Sequence, residues 1–338
     1  MTRILVTGGL GFIGSHTVVE LQNRGYEVVI IDNLSNTTLE VLDNIKAITG
    51  IQPVFVNIDL RNQKEVNTFF NEHAIDGVIH FAAYKAVGES VSKPLDYYQN
   101  NLNSLVYLLQ ELTERGIGNF IFSSSCTVYG QADELPITEK APIKPAESPY
   151  GYSKQACEII IKDTCKAVGL NAIALRYFNP IGAHPSIKIG ELPLGVPQNL
   201  IPYITQTAAG IRKELSVFGN DYPTEDGTAI RDYIHVVDLA KAHTAALRRL
   251  TEKKNKENFE VFNIGTGKGS SVLEVIKAFE KATKKPLNYK IVGKREGDVT
   301  AAYADTSMAN RELNWKTEIS LETALKSAWQ WQQAQKKS

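Results

Sequence analysis

Between the short apolar run Arg3-Ile4-Leu5-Val6-Thr7 and a helix-patterned stretch from Ser15 to Arg24 lies the turn Gly8-Gly9-Leu10-Gly11-Phe12-Ile13-Gly14. After Gly25, a plausible helix stop, a second apolar run Glu27-Val28-Val29-Ile30-Ile31 ends on Asp32. The glycines fit G-x-G-x-x-G as Gly9, Gly11 and Gly14, and G-x-x-G-x-x-G as Gly8, Gly11 and Gly14. Such a turn bends tightly and lets a pyrophosphate approach a helix N-terminus, where N–H groups and the helix dipole favour anions. A strand before, a helix after and an acid on the next strand are the context that marks dinucleotide binding. Asp32 suits a free adenosine ribose and opposes a 2′-phosphate, so NAD is expected rather than NADP.

The strand–helix alternation continues. A polar loop (Ser35-Asn36-Thr37-Thr38) and a helix precede the strand Pro53-Val54-Phe55-Val56-Asn57, which leads to Asp59. That carboxylate either accepts from an adenine amino group or caps the next helix. Helix 62–72 leads to the strand Gly77-Val78-Ile79-His80 and the segment Phe81-Ala82-Ala83-Tyr84-Lys85; His80 reads as a satisfied core residue. Asn100 and Asn101, inside helix 94–115, need partners from a loop or from the cofactor. The strand Asn119-Phe120-Ile121-Phe122 ends in Ser123-Ser124-Ser125-Cys126-Thr127-Val128-Tyr129-Gly130, and strand 172–178 is expected to close the parallel series. The pattern is α/β, a Rossmann-type doubly wound parallel sheet with a smaller C-terminal α/β substrate domain. Ligands of such sheets bind beyond the carboxyl ends of the strands. The serine run, the 81–85 segment and the glycine turn should therefore share one rim.

Near Asn179-Pro180-Ile181-Gly182 strands become sparse and Gly/Pro loops more frequent, which places a boundary between residues 1–180 and 181–338. The second part reads as helix 199–210, strand 215–219, a polar loop 221–232 that covers a ligand, and helix 236–250. Strand 260–264, helix 270–283, strand 288–292 and helices 307–313 and 320–335 follow. With 338 residues, 43% hydrophobic and 22% charged, the chain is long enough for one large or two ordinary cores. Zero net charge gives no basic field for nucleic acid, and no apolar run approaches the ~20 residues of a membrane span. The early start of the first strand is expected to leave no room for a signal peptide. Three cysteines without a C-x-x-C suit a reducing cytoplasm. No metal site is expected.

Chemistry concentrates in Ser148-Pro149-Tyr150-Gly151-Tyr152-Ser153-Lys154. Tyr150 and Lys154 stand at helical i, i+4 spacing, on one face and within reach of a common ligand; Pro149 suits a helix entry. Free tyrosine titrates near ~10, and a lysine cation together with a second positive charge could lower it by about three units. A phenol so placed is a base near neutrality. One of the three serines could bridge Tyr150 and a substrate oxygen.

With the glycine turn, the triple serine and Tyr-x-x-x-Lys in one order, the chain resembles the extended short-chain dehydrogenase/reductase family. Within it, the UDP-glucose 4-epimerases are matched by further segments. These are residues 81–90, Arg176-Tyr177-Phe178-Asn179-Pro180, residues 219–228, Arg231-Asp232-Tyr233-Ile234-His235-Val236 and Arg295-Glu296-Gly297-Asp298. The resemblance spans Thr7 to about Trp331. It implies an NAD-dependent isomerase that oxidises the sugar at C4 to a 4-keto intermediate, lets the sugar turn, and returns the hydride to the other face. Tyr150 would be the base, Ser125 would lie in its hydrogen-bond path, and Lys154 would hold the cofactor ribose.

The cofactor would be held by Gly8, Gly11, Phe12, Ile13, Gly14, Asp32, Asn33, Asn36, Asp59, Leu60, Phe81, Ala82, Lys85, Asn100, Tyr150, Lys154 and Phe178. The UDP-sugar would be held by Ser125, Tyr150, Asn179, Asn199, Leu200, Phe218, Arg231, Tyr233, Arg295, Asp298 and Ala302. Of these, Arg231 and Arg295 suit the pyrophosphate, and Phe218 and Asp298 would address uracil and ribose. The family also implies a homodimer through helices of the 94–115 and 150–168 regions.

Four positions depart from the family's commonest pattern. Ala83-Tyr84 stands for Gly-Leu and Cys126 for Ala; neither disturbs the chemistry. Ala302 stands where a large tyrosine would restrict the sugar pocket, and a small residue there is expected to admit N-acetylated sugars. A related 4,6-dehydratase would need an acid/base pair after the serine strand, where this chain has Cys126-Thr127. A non-catalytic NAD-sensing module would have no need of Tyr150, Lys154 and Ser125 together.

Overall fold

The computed structural model describes residues 2–295 and 298–335. Its first half alternates β1 (Arg3–Thr7), α1 (Phe12–Asn23), β2 (Glu27–Asp32), α2 (Glu40–Thr49), β3 (Val54–Asn57), α3 (Gln63–Glu72), β4 (Gly77–His80), α4 (Val87–Ser92), α5 (Pro94–Arg115), β5 (Asn119–Ser123), α6 (Pro149–Val168) and β6 (Asn171–Tyr177). The rest carries β7 (Asn179–Ile181), α7 (Leu200–Ala208), β8 (Leu215–Phe218), β9 (Ile230–Arg231), β10 (Tyr233–His235), α8 (Val236–Thr251), β11 (Phe259–Ile264), β12 (Ser270–Ser271), α9 (Val272–Thr283), β13 (Tyr289–Val292), β14 (Ala301–Ala302), α10 (Ser307–Glu312) and α11 (Leu321–Gln335).

Side chains alternate along each central strand, and both faces are apolar. In β1, Ile4 and Val6 join one core while Leu5 joins the other; β2 repeats this with Val28 and Ile30 against Val29 and Ile31. Such strands require cover on both sides. Helices α1, α2 and α8 supply it on one face, and α3, α5 and α6 on the other. Each fully buried leucine or isoleucine contributes about 1.5–3 kcal/mol. The result is a seven-stranded parallel sheet in the order β11-β6-β5-β4-β1-β2-β3. Its strand order reverses between β1 and β4, and a ligand crevice opens at the carboxyl ends of those strands.

Strand 172–178 does not close the series. β11 pairs in parallel beyond it, Phe259 opposite Ala172 through Ile264 opposite Tyr177, and α8 packs on α1. After residue 181 the chain thus returns to the large sheet before completing the smaller lobe. The gain is burial: β11, now the end strand, brings Phe262 and Ile264 into the large core. The smaller lobe consists of the pairs β10–β7 and β13–β8 and the triplet β12-β9-β14 around Ile201, Ile204, Val217, Phe279 and Trp329. Other differences are local: α1 begins at Phe12 rather than Ser15, Pro53 lies outside β3, and α4 was not anticipated.

The helix that carries Tyr150 has well-made ends. The Ser148 side chain accepts from the Gly151 N–H at 3.1 Å, Pro149 occupies the first turn, and Gly169 ends the helix at φ 72°. Among the described residues no helix is long and apolar enough to cross a membrane.

Candidate active site

The glycine turn sits against the end of β4. Gly8 has φ +68°, its N–H donates to the Ile31 carbonyl at 2.7 Å, and an added Cβ would stand 2.8 Å from the Ala82 nitrogen. At Gly14 a Cβ would come within 2.2 Å of the Gly8 carbonyl oxygen. Only glycine permits this approach of helix to turn. It leaves the first-turn N–H groups of α1, with no acidic residue beside them, facing the cleft. Asp32 closes the next wall. Its carboxylate accepts from the Leu10 and Leu34 N–H groups at 3.2 and 3.0 Å, while burial pushes its pKa up.

Asn33 donates to Asp59 at 3.2 Å, and Arg61 grips Asp59 through Nε and Nη2, holding its carboxyl at about 2. The cap of α3 is Asn62, which accepts from the Glu65 N–H. Asp59 is therefore not a helix cap, and it lines the cleft. Gly8, Gly11, Phe12, Ile13, Gly14, Asp32, Asn33, Asn36, Leu60, Phe81, Ala82, Lys85, Asn100, Tyr150 and Lys154 line the same cleft. Phe178 does not. Its side chain packs with Val128, Tyr129 and Ile137, and the alternation of the chain gives this wall to Tyr177, whose hydroxyl lies 2.9 Å from Ser123 Oγ. A glycine cradle, free helix N–H groups and an acceptor carboxylate at the far end fit a dinucleotide.

The triple serine divides its work. Ser123 presents its carbonyl to the Lys154 ammonium at 2.8 Å and its hydroxyl to Tyr177. Ser124 donates to Glu158, which is also held by Arg176 in a buried two-point pair. Ser125 accepts from the Thr127 N–H and hydroxyl at 3.2 and 3.0 Å, and its side chain stands beside the Tyr150 phenol, close enough to favour the ionised form. Burial pulls Lys154 down to about 8; its ammonium lies 4.7 Å from the centre of the Phe122 ring and 5.9 Å from that of Tyr150. Burial, helped by the nearby Tyr177, pushes the Tyr150 phenol well above its ordinary 10, with the Ser125 side chain acting the other way. The chain's own groups do not supply the three-unit depression expected from the sequence. A depression of that phenol would need a positive charge on the cleft side of Tyr150.

His80 is a core residue as expected, bonded to Thr7 Oγ1 at 2.7 Å and kept neutral by burial, with its pKa near 3. Asn101 ties the cleft together, meeting both backbone groups of Tyr84 and the Ser153 hydroxyl.

Across the crevice the smaller lobe brings together another set. Asp298 Oδ1 accepts from Arg231 at 3.4 Å and from Arg295 at 2.8 Å, and the Arg295 guanidinium lies 5.7 Å from the Phe218 ring centre. Tyr233 is buried on β10 opposite Asn179 on β7. Asn199 and Leu200 begin α7, and Ala302 on β14 pairs with Arg231 on β9. Glu296 and Gly297 of the arginine motif lie outside the described residues. Sequence reasoning missed Tyr177, Asn101's bridge, and the Glu158–Arg176 pair. The pair did leave a signal, since each charge interrupts an apolar pattern. Among the described residues no three His, Cys, Asp or Glu side chains are grouped to hold a metal ion.

A dinucleotide cradle, a Tyr–Lys helix beside a serine-ended strand and a second lobe of arginines define an extended short-chain dehydrogenase/reductase. The family model described as GDP-mannose 4,6 dehydratase matches residues 5–328. The UDP-glucose 4-epimerase of Mus musculus is 49% identical over 98% of this chain and 97% of its own. The UDP-glucose 4-epimerase of Stenotrophomonas maltophila, solved with bound NAD and formylated UDP-arabinopyranose, superposes with a TM-score of 0.96 at 46% identity, covering 100% and 99% of the two chains. That of Bifidobacterium longum, in complex with NAD+ and UDP, gives 0.95 at 48% identity over 98% of each. The chain belongs to the UDP-glucose 4-epimerase family.

Proposed function

We propose that the chain interconverts UDP-glucose and UDP-galactose at C4 of the hexose, and that NAD is its cofactor. NAD, when bound, supplies the chemistry of accepting the C4 hydride and giving it back. The residues of the chain do the rest. Tyr150 takes the proton of the 4-hydroxyl and returns it after the 4-keto sugar has turned, and Ser125 relays the hydrogen bond. Lys154, anchored on the Ser123 carbonyl, holds the cofactor ribose and adds positive charge near the phenol. Arg231 and Arg295 grip the diphosphate, Phe218 and Asp298 address the uridine, and Asn179, Asn199, Leu200 and Tyr233 place the diphosphate-sugar. Gripping the nucleotide while leaving the hexose free is what allows the ring to present its other face.

The observation that carries this reading is the meeting of Tyr150, Ser125 and Lys154 at the end of the cradle, facing a lobe of paired arginines. The 4,6-dehydratase reading lacks a proton donor, because Cys126 and Thr127 follow the serines and burial pushes the Cys126 thiol up to about 12. Mass spectrometry of the purified protein for bound NAD, followed by incubation with UDP-galactose, tests the proposal. Bound NAD and conversion to UDP-glucose are expected; water loss to a 6-deoxy-4-keto sugar would refute it.

Finer features belong to the same proposal. Residues 1–180 hold the dinucleotide and 181–338 the UDP-sugar, with 236–264 lent back to the large sheet. Ala302 admits N-acetylated substrates. The ring of the neighbouring Tyr303, one bulky side chain that could close that gap, lies against Gly269. UDP-GalNAc should therefore be turned over, and Ala302→Tyr should remove that activity while sparing UDP-galactose. Negligible UDP-GalNAc turnover by the unaltered protein would sink this part. A homodimer would bury Leu95, Tyr152 and Ile159, all exposed on α5 and α6, and sedimentation would read it. Cytoplasmic residence suits three free cysteines.

A further inference from the structure

Glu191, in the loop before α7, has no part in the proposed chemistry, yet it joins the two lobes at the mouth of the crevice. Its Oε1 accepts from Lys85 Nζ at 3.2 Å, on the cofactor side, and from Asn199 Nδ2 at 2.7 Å, on the UDP-sugar side. The backbone beneath it is fixed. The Glu191 carbonyl accepts the Trp331 indole N–H at 2.9 Å, and at Gly190 a Cβ would stand 2.6 Å from the Trp331 ring.

Asn199 gives the second observation. It holds the N-cap position of α7, where asparagine is among the favoured caps, yet its side chain makes no cap bond. Its amide is turned instead to Glu191. With one N–H committed there, the other N–H keeps a fixed direction, and a diphosphate-sugar oxygen is the acceptor it would meet. The Glu191 side chain is 12% exposed but that of Lys85 is 54% exposed, so the ion pair adds little to stability. What remains is orientation.

We infer that Glu191 is a positioning residue for the substrate, aiming the Asn199 amide at the diphosphate-sugar and coupling it to Lys85 on the cofactor rim. The inference rests on the 4-epimerase reading. It is tested by steady-state kinetics with UDP-galactose on the NAD-loaded enzyme, for E191A, E191Q, E191D, N199A and the double variant E191A/N199A. E191A should raise KM about tenfold, the scale of one charge-assisted hydrogen bond, while kcat changes less than about threefold. E191Q keeps an acceptor for the amide and should recover most of the loss. E191D keeps the charge but not the reach and should resemble E191A, which decides the matter should E191A fail to fold. In the N199A background the E191A change should add less than about twofold.

An unmoved KM in E191A or E191D, a full second loss in the double variant, or no recovery in E191Q would each overturn the inference. Absence of turnover in the unaltered enzyme would instead overturn the 4-epimerase reading.

Discussion

On the proposed reading, the glycine-lined cleft and the arginine face opposite it would hold their ligands by different physical means. In the cleft, position is set by backbone and burial: Gly8 and Gly14 lie where no other residue fits, and Tyr150 and Lys154 are almost wholly enclosed. On the opposite face, position is set by exchangeable charge. Phe218 is 40% exposed, and Arg231 and Arg295 share one oxygen of Asp298. A buried cradle releases its occupant slowly, whereas a pair of guanidinium groups parked on a carboxylate can be traded for a diphosphate at every turnover. On the proposed reading, that contrast predicts a retained cofactor beside an exchanging substrate.

If the contrast holds, changes in the cleft alter chemistry or cofactor retention and changes opposite alter KM. The largest effect is expected from Tyr150→Phe, which should lower kcat by ~10²–10⁴ with little change in KM; activity within threefold of the unaltered enzyme would break the comparison at its centre. Gly14→Ala should purify with little or no bound NAD, because the new Cβ falls 2.2 Å from the Gly8 oxygen and the turn has to move. Full NAD occupancy by absorbance and mass spectrometry would count against the cradle. Arg231→Ala should keep its NAD and raise KM for UDP-galactose about ten- to a hundredfold. A fall in kcat at unchanged KM would place that arginine with the chemistry instead.

The smallest effect concerns stability. His243 lies beneath the cleft wall against Phe81 and Tyr177, its Nδ1 at 2.9 Å from the Leu239 carbonyl and its Nε2 without a partner, and burial lowers it to about 4. Its folded value lies below the ordinary 6.5, so the unfolded chain takes up the proton first. The stability it contributes is complete above about 6.5 and is lost as pH falls toward 4. Between pH 7.5 and 5.5, His243→Leu should gain about 1 kcal/mol on the unaltered protein in urea unfolding. A pH-independent difference would mean that the imidazole is not held neutral.

The large sheet was legible because its strands carry an apolar residue on both faces and its glycine turn has one structural use. The return of β11 to that sheet was not, since strand pairing across a long separation leaves no local mark in the sequence. The Tyr150–Lys154 pair was readable from spacing, whereas the choice of Ser125 among the three serines came only from the family resemblance. Which direction the phenol is pushed was not, because that depends on enclosure by Tyr177 and the β5–α6 layer. The choice between Tyr177 and Phe178 is a matter of one residue in strand alternation, invisible until the register is known. Asn199 could be picked out by resemblance, but its bond to Glu191 could not, because the loop that carries Glu191 has no periodicity to read.

The claim beneath all of this is that one hydride leaves C4 and comes back without meeting solvent. Incubating UDP-galactose labelled with deuterium at C4 with the enzyme in ordinary water tests it directly, the product being read by mass spectrometry and proton NMR. The account predicts UDP-glucose that keeps its deuterium at C4. Loss of the label to water would contradict it.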